Sequence, residues 1–288
     1  MHVQTTIHNP ISCYGIGVHS GKKTQITLKP AKQDTGIVFV RTDVTRVDNV
    51  VYASYANVFD TSLSTSIKNI AGTQVSTIEH LMAAIWGCGL SNVVVEIDGP
   101  EVPIMDGSSQ PFVFMIECSG IKPLNAPQKY LKLLKDVYVN DNDTEIVATP
   151  SESTHIDLSI DFASAVIGKQ QHIFTPQNNF RDDLANSRTF GFIKDLDYLQ
   201  SRGLAQGASL DNAIGIDKDV ILNHECLRHE NEFARHKMLD LLGDLFTSGG
   251  GIIGNIKAFK TSHALNNKFL HKVFSDPYSY KWVDSSGN

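Results

Sequence analysis

Cysteine is scarce in this chain and never clustered: Cys13, Cys88, Cys118 and Cys226 stand far apart, with no CxxC pair. That excludes a disulfide framework and a cysteine-based zinc site, and makes a reducing cytoplasm the expected compartment. Long apolar runs are missing too, so no stretch approaches the roughly 20 residues of a membrane span. The segment Met1 to Pro10 is polar and has no apolar centre of the kind a signal peptide carries. Positive charge is not in excess. A net charge of -6 and a pI near 6.0 argue against a nucleic-acid surface. Two familiar motifs are also incomplete. Gly249-Gly250-Gly251-x-x-Gly254 lacks the Lys and Ser/Thr of a phosphate loop and reads as a turn between helix and strand. His224-Glu225-x-x-x-His229 is one residue longer than the HExxH zinc signature. On a helix its two histidines would diverge by roughly 140° and could not share a metal.

What is present describes a soluble globular protein: 288 residues, 41% hydrophobic and 19% charged, long enough for two domains with separate cores. Thr24 to Leu28 and Ile37 to Val40 carry strand patterns, with turn chemistry between them. A helix is predicted over 77–86, opened by Ser76-x-x-Glu79 as a capping box and closed by Gly87 and Gly89. A strand over 92–97, a turn-rich loop and a helix near 111–118 follow. The segment Gly120 to Pro127, with two prolines in five residues, is the expected boundary, giving domains at 1–122 and 128–288. Beyond it, strands are predicted over 130–139, 145–149 and 155–162, the last alternating Ile156, Leu158, Ile160 and Phe162. A short helix over 195–202, a long one over 225–246, a strand over 252–259 and a helix over 264–274 complete the chain. Strands preceding helices in both halves point to α+β.

The chemistry starts at His236 and Asp240. Four residues apart on a helix, they share a face, roughly 6 Å apart along the axis. An imidazole nitrogen and a carboxylate oxygen so placed can hold Zn²⁺, whose N and O ligands lie at about 2.0–2.2 Å. A catalytic zinc needs a third protein ligand and an open position, and His80, beside Glu79, is the candidate. Glu79 also has a structural reading, as the third residue of its capping box, worth about 1 kcal/mol and no chemistry. Asp244 extends the His236 stripe by another turn, and ionisable groups among Met238, Leu239, Leu241 and Leu242 are costly unless they face a polar cleft. His229 would lie on that same face about 10 Å from His236, too far to be a ligand. His263 stands where a strand meets the last helix, a place that suits a helix cap and a general acid equally. The two histidine segments are also alike. His80-x-Met82-x-Ala84-x-x-Gly87 and His236-x-Met238-x-Asp240-x-x-Gly243 share His, Met and Gly at equal offsets, each before an apolar strand. This reads as a degenerate duplication in which each domain presents a helix to a shared cleft.

Five segments then become recognisable together: Val75-Ser76-Thr77-Ile78-Glu79-His80-Leu81, Glu101-Val102-Pro103-Ile104-Met105-Asp106-Gly107-Ser108, Ser187-Arg188-Thr189-Phe190-Gly191, Arg235-His236-Lys237-Met238-Leu239-Asp240, and Ser262-His263-Ala264-Leu265-Asn266-Asn267. With Gly15-Ile16-Gly17-Val18-His19-Ser20-Gly21, they resemble the zinc-dependent UDP-3-O-acyl-N-acetylglucosamine deacetylases of lipid A synthesis, in order and over nearly the whole chain. The resemblance implies two related α+β domains, each a β-sheet layered with two α-helices, a small insertion in each (near 49–70 and 180–207) and an active site between them. It implies that His80, His236 and Asp240 hold Zn²⁺ and leave a fourth position for water, with Glu79 as general base. His263, if cationic, would stabilise the oxyanion or protonate the leaving amine, oriented by Asp244, and Thr189 would donate its hydroxyl to the carbonyl oxygen. Lys237 and Lys260 would suit the substrate diphosphate, and Phe190 stacking on sugar or nucleotide. Asp106 acquires no role.

Between Phe190 and Leu204 the chain sets Phe190, Phe192, Ile193, Leu196, Leu199 and Leu204 in an otherwise polar stretch. These residues would pack a small helix on the second domain, or, as the resemblance implies, line a passage for the acyl group. The expected partner is a UDP-acyl-sugar, with no nucleic acid and no membrane span, and nothing requires more than a monomer. Fe²⁺ also suits two histidines and one aspartate. A related zinc amidohydrolase with another substrate, or a binding protein with a vestigial site, are the other classes, the second disfavoured because every working group is present.

Overall fold

The computed structural model describes residues 3–175 and 177–284. Two five-stranded sheets share one strand plan. The first has the order Ile11–Ile16, Lys23–Pro30, Val93–Ile97, Ile37–Arg41, Val50–Tyr52. The second has the order Val137–Asp141, Thr144–Thr149, Asn255–Phe259, His155–Asp161, Lys169–Phe174. In both, an opening hairpin meets the central strand antiparallel, and that strand runs parallel to its other neighbour. The alternation that predicted these strands is used as expected: Ile156, Leu158 and Ile160 are buried, with the residues between them only half-buried.

Among the described residues six α-helices accompany the sheets: α1 (Glu79–Gly87), α2 (Gln110–Ser119), α3 (Phe180–Asp183), α4 (Ile193–Ser201), α5 (Glu232–Leu245) and α6 (His263–Ser275). Each half therefore runs as four strands, an insertion, a helix, the central strand and a second helix. α1 packs on α5, with α2 beside α1 and α6 beside α5, and one hydrophobic cluster runs through both halves. The fold is mixed α+β with the repeat the two histidine segments suggest. None of the described helices is long and apolar enough to cross a membrane.

The insertions are small three-stranded sheets. One is Val58–Asp60, Ser66–Lys68 and Gln74–Val75. The other is Phe190–Phe192, Ile214–Asp217 and Val220–Ile221, carrying α4. The first starts later than 49, because Val50–Tyr52 is the edge strand of the main sheet, and the second runs on past 207 to Ile221.

Several boundaries differ from the sequence reading for local reasons. The expected linker is a strand, Ile121–Pro127, paired antiparallel with Val3–Ile7, which accommodates prolines because the pair has no further strand to satisfy. The strand expected over 130–139 is two strands, Lys129–Leu133 and Val137–Asp141, in different sheets. α1 starts at Glu79, not Thr77, because Thr77 has φ 58, outside the helical region. Most telling, α5 starts at Glu232 instead of 225. Residues 224–229 are not helical, so His229 does not share a helical face with His236.

Candidate metal centre

α1 and α5 meet at a close approach that a glycine permits. A Cβ on Gly243 would sit 2.1 Å from the Glu79 carbonyl oxygen, so only glycine lets the backbones come this near. That contact brings His80, in the first turn of α1, against His236 and Asp240 on α5. Nε2 of His80 and Nε2 of His236 each lie 3.4 Å from Oδ1 of Asp240. The two rings are edge-on, 4.9 Å between centroids. All three residues are buried, and their donor atoms lie within 4.8 Å of one another.

The donor set fits a divalent cation. Oδ1 of Asp240 is buried with no hydrogen-bond partner, a costly state unless something positive faces it. Oδ2 of the same carboxylate accepts from Lys237 Nζ at 2.8 Å. Burial pushes the His236 imidazole down to about 4, so it is neutral, as a metal ligand must be. Burial works against the charge on Asp240, but His236 and Lys237 outweigh it and hold the carboxyl well below its usual range. Nδ1 of His236 donates to the Ser187 carbonyl at 3.1 Å, which leaves Nε2 with its lone pair toward Asp240. His80 Nδ1 has no such partner.

Glu79 stands beside this set and does not cap α1. The residue before the helix makes no side-chain cap, and Glu79 Oε2 accepts instead from Thr65 N at 2.9 Å. Burial raises its carboxyl above the ordinary value, which suits a group that must take and release a proton. Its Oε1 lies 3.9 Å from His263 Nε2. The other nitrogen of His263 is 2.7 Å from Asp244 Oδ2, which also accepts from Asn266, while Asp244 Oδ1 accepts from Thr65 Oγ1 at 2.5 Å. Burial disfavours the cation on His263, but the Asp244 and Glu79 carboxylates prevail and raise it to about 9. The structure thus brings together a buried carboxyl group and a buried imidazolium. Ser262 takes the helix-capping role at α6, accepting from Leu265 N, so His263 is free of it.

A cavity of about 400 Å³ opens from this cluster. Glu79, His80 and Thr189 face one end, and Phe190, Phe192, Ile193, Leu196 and Leu199 line the apolar remainder. Leu204 is not in its wall. Phe190 sits edge-on to Phe233 at 5.0 Å and to Phe162 at 5.6 Å, so its ring is wedged in place. Two expected substrate contacts stand apart from the lining. Lys237 is committed to Asp240, and Lys260, at the end of its strand, pairs with Asp143 at 2.8 Å. Other groups at the site have no marked signal in the sequence. Thr65 joins Glu79 to Asp244, and buried Glu101 accepts from the backbones of His19 and Ser20 and from the Thr77 hydroxyl. Glu101 and His19 lay within quoted motifs, but spacing alone gave them no task.

Two imidazoles and a carboxylate, with a second buried carboxyl group and a cationic histidine alongside, make a site of the kind a metal-assisted hydrolase uses. The family model described as LpxC, UDP-3-O-acyl N-acetylglycosamine deacetylase, matches residues 4–275, and the chain belongs to that family. A relative from Pasteurella multocida (strain Pm70) is 43% identical over 284 residues, covering 97% of this chain and 92% of its own. One from Phenylobacterium zucineum (strain HLK1) is 44% identical over 280 residues, covering 96% and 95%. One from Haemophilus influenzae (strain 86-028NP) is 43% identical over 285 residues, covering 97% and 92%. All three are named UDP-3-O-acyl-N-acetylglucosamine deacetylase.

Proposed function

We infer that this enzyme hydrolyses the N-acetyl group of UDP-3-O-acyl-N-acetylglucosamine, releasing acetate, as a step of lipid A biosynthesis, and that it does so with Zn²⁺. The observation that carries the metal reading is the orphaned Asp240 Oδ1 between two imidazole Nε2 atoms. His80, His236 and Asp240 would hold the ion. When bound, it supplies Lewis acidity toward the amide carbonyl and toward water.

The chain's own groups do the rest. Glu79 takes a proton from the attacking water as the new C–O bond forms at the acetyl carbon. The Thr189 hydroxyl donates toward the developing oxyanion, as does cationic His263. As the C–N bond breaks, His263 protonates the departing amine, leaving the free amino sugar and acetate. Asp244 keeps His263 charged and oriented, and Thr65, bonded to Glu79 and Asp244 at once, holds base and acid in register. The apolar cavity would take the fatty acyl group, with Phe190, Phe192, Ile193 and Leu199 in its wall. Each buried methylene is worth about 0.8 kcal/mol, so a long chain supplies much of the affinity. Lys237 and Lys260 are assigned to the diphosphate on charge alone, and each would have to leave its present carboxylate partner. The enzyme is read as a cytoplasmic monomer.

The deciding experiment combines metal analysis of the purified protein with acetate release from the UDP-sugar. Stoichiometric zinc and acetate release, both lost in His236→Ala, are expected. Stoichiometric iron would replace zinc in the assignment, and full turnover by His236→Ala would defeat it.

A further inference from the structure

The hydrogen-bonded network around His236 continues well beyond the three candidate ligands. Glu232, one turn before His236 on α5, is wholly buried, and so nearly is Arg188. Glu232 Oε1 accepts from both the backbone N and the Nε of Arg188 at 2.9 Å, and Oε2 accepts from Arg188 Nη2 at 3.2 Å. Oε2 also accepts from the backbone of Arg228 at 2.6 Å. The Arg228 side chain then reaches into the first half, 2.9 Å from Asp106 Oδ2. On the way it bonds both the carbonyl and the side-chain oxygen of Asn186. Asp106 is itself fixed by the backbone and hydroxyl of Ser108. Next to it, Gly107 O accepts from Thr189 N at 2.8 Å.

The network converges on one short strip, residues 186–189. Asn186 is held by Arg228, Ser187 N by Leu184 O, Arg188 by Glu232, and Thr189 by Gly107 and Ile214. The strip presents two groups to the site: the Ser187 carbonyl and the Thr189 side chain. A carbonyl only accepts, so the bond to Ser187 requires the proton of neutral His236 to sit on Nδ1 and directs Nε2 to the ligand position. His80 has no equivalent bond, so only one of the two histidines is preset in this way.

We propose that the buried Arg188–Glu232 pair, tied through Arg228 to Asp106 of the other half, is a positioning device that holds the Ser187 carbonyl on His236 and so fixes the ligand nitrogen. The proposal rests on the metal reading above. It gives Asp106 and Glu232 a task that metal coordination and acid–base chemistry leave unassigned. A purely structural ion pair can be replaced by apolar residues of similar volume with little loss. A positioning pair cannot, because the apolar replacement leaves the strip untethered.

The test therefore uses Arg188→Met combined with Glu232→Met in the full-length chain. Three readouts are needed: zinc affinity by chelator competition, kcat and KM separately, and the Nδ1 proton of His236 by ¹⁵N NMR of the zinc-loaded protein. Loss of an outer partner to a ligating histidine typically weakens metal binding roughly 10–100-fold, and that loss is expected here. kcat should fall more than KM rises, and the Nδ1 proton should exchange too fast to be seen. Wild-type zinc affinity with a persistent Nδ1 proton would overturn the proposal. Should the double variant not fold, Arg228→Gln at the partly exposed end of the network serves instead. It should weaken zinc several-fold, with partial recovery in Arg228→Lys, and unchanged zinc affinity would overturn the proposal equally. Wild type and His236→Ala are measured alongside. Normal zinc binding by His236→Ala would defeat the metal assignment itself, whereas equal binding by wild type and the Met variant defeats only the positioning role.

Discussion

The two halves have the same strand order and helix order, yet their chemistry is unequally loaded. His80 and His236 occupy matching places on α1 and α5, and Met82 and Met238 are both wholly buried. Four residues after each histidine the halves part: Ala84 is a core residue, and Asp240 belongs to the group that could hold a metal. Another turn on, Cys88 corresponds to Asp244, which holds His263. Before the histidine the imbalance reverses, with Glu79 at the site and Arg235 bound to Asp183 outside it. Repetition therefore supplied two facing helices, and divergence supplied Glu79, Asp240 and the Asp244–His263 pair, the proposed base, third ligand and acid. Even the shared glycines differ in use. Gly243 admits the Glu79 backbone, while Gly87 admits the ring of Phe180.

The comparison is broken most severely by removing either histidine. His80→Ala and His236→Ala sit in different halves but should behave alike, each losing stoichiometric metal and essentially all turnover, as measured by metal content and acetate release. A His80→Ala enzyme that kept its metal would mean the ion belongs to α5 alone. Next in size is Glu79→Gln, which keeps the Thr65 contact but cannot accept a proton. kcat should fall roughly 10²-fold or more with the melting temperature almost unchanged. A near-normal kcat would return Glu79 to a structural part.

Much of this was legible in the sequence, and the reasons are physical. A four-residue spacing on a helix fixes relative direction, so His236 and Asp240 announced themselves. The repeated His-Met-Gly offsets foretold the facing helices, because packing constrains those positions in both halves. The α5 boundary was not legible, since the polar stretch 224–231 carries no Gly or Pro. At its first residue, Glu232, the helix is tied to a tertiary partner, Arg188, 44 residues earlier. Thr65, Glu101 and Arg228 were invisible for the same reason: each acts through hydrogen bonds to residues distant in the sequence, and side-chain type alone predicts no partner. The capping box at Glu79 misled because local pattern was the stronger signal there, and Thr77 adopts φ 58 in spite of it.

The shared glycines give a smaller and sharper test. In Gly243→Ala the new methyl meets backbone, the Glu79 carbonyl at 2.1 Å, and α1 must move away from α5. Overpacking of this kind costs about 1–3 kcal/mol, more than the helix propensity that alanine gains. Activity should fall with stability, because the displaced helix carries Glu79 and His80. In Gly87→Ala the obstacle is the Phe180 ring, which is a side chain and can turn. Its cost in a denaturant titration should be smaller and its effect on kcat slight. Equal losses in both variants would mean that the α1–α5 approach holds no special place in the active site.

The last comparison separates α6 from its counterpart α2. α6 opens with His263 where α2 opens with Gln110, so His263→Gln imports the uncharged residue of the other half. The folded state raises His263 from an ordinary value of 6.5 to about 9, because Asp244 and Glu79 overcome the cost of burial. A raised pKa means the folded state binds the proton more tightly than the unfolded chain. The resulting stabilisation is complete below pH 6.5 and is lost as pH rises through about 9. Wild type should therefore exceed His263→Gln in stability by at most about 3 kcal/mol at pH 6, and the gap should narrow steadily toward pH 10. Denaturant midpoints of both proteins across that range measure it. Gln110→His, the reverse exchange, should produce no such pH-dependent gain, since no Asp244 equivalent waits at the end of α1, which Cys88 follows. A gap that stayed constant from pH 6 to 10 would show that His263 is not held as a cation, and the acid role built on that charge would fall with it.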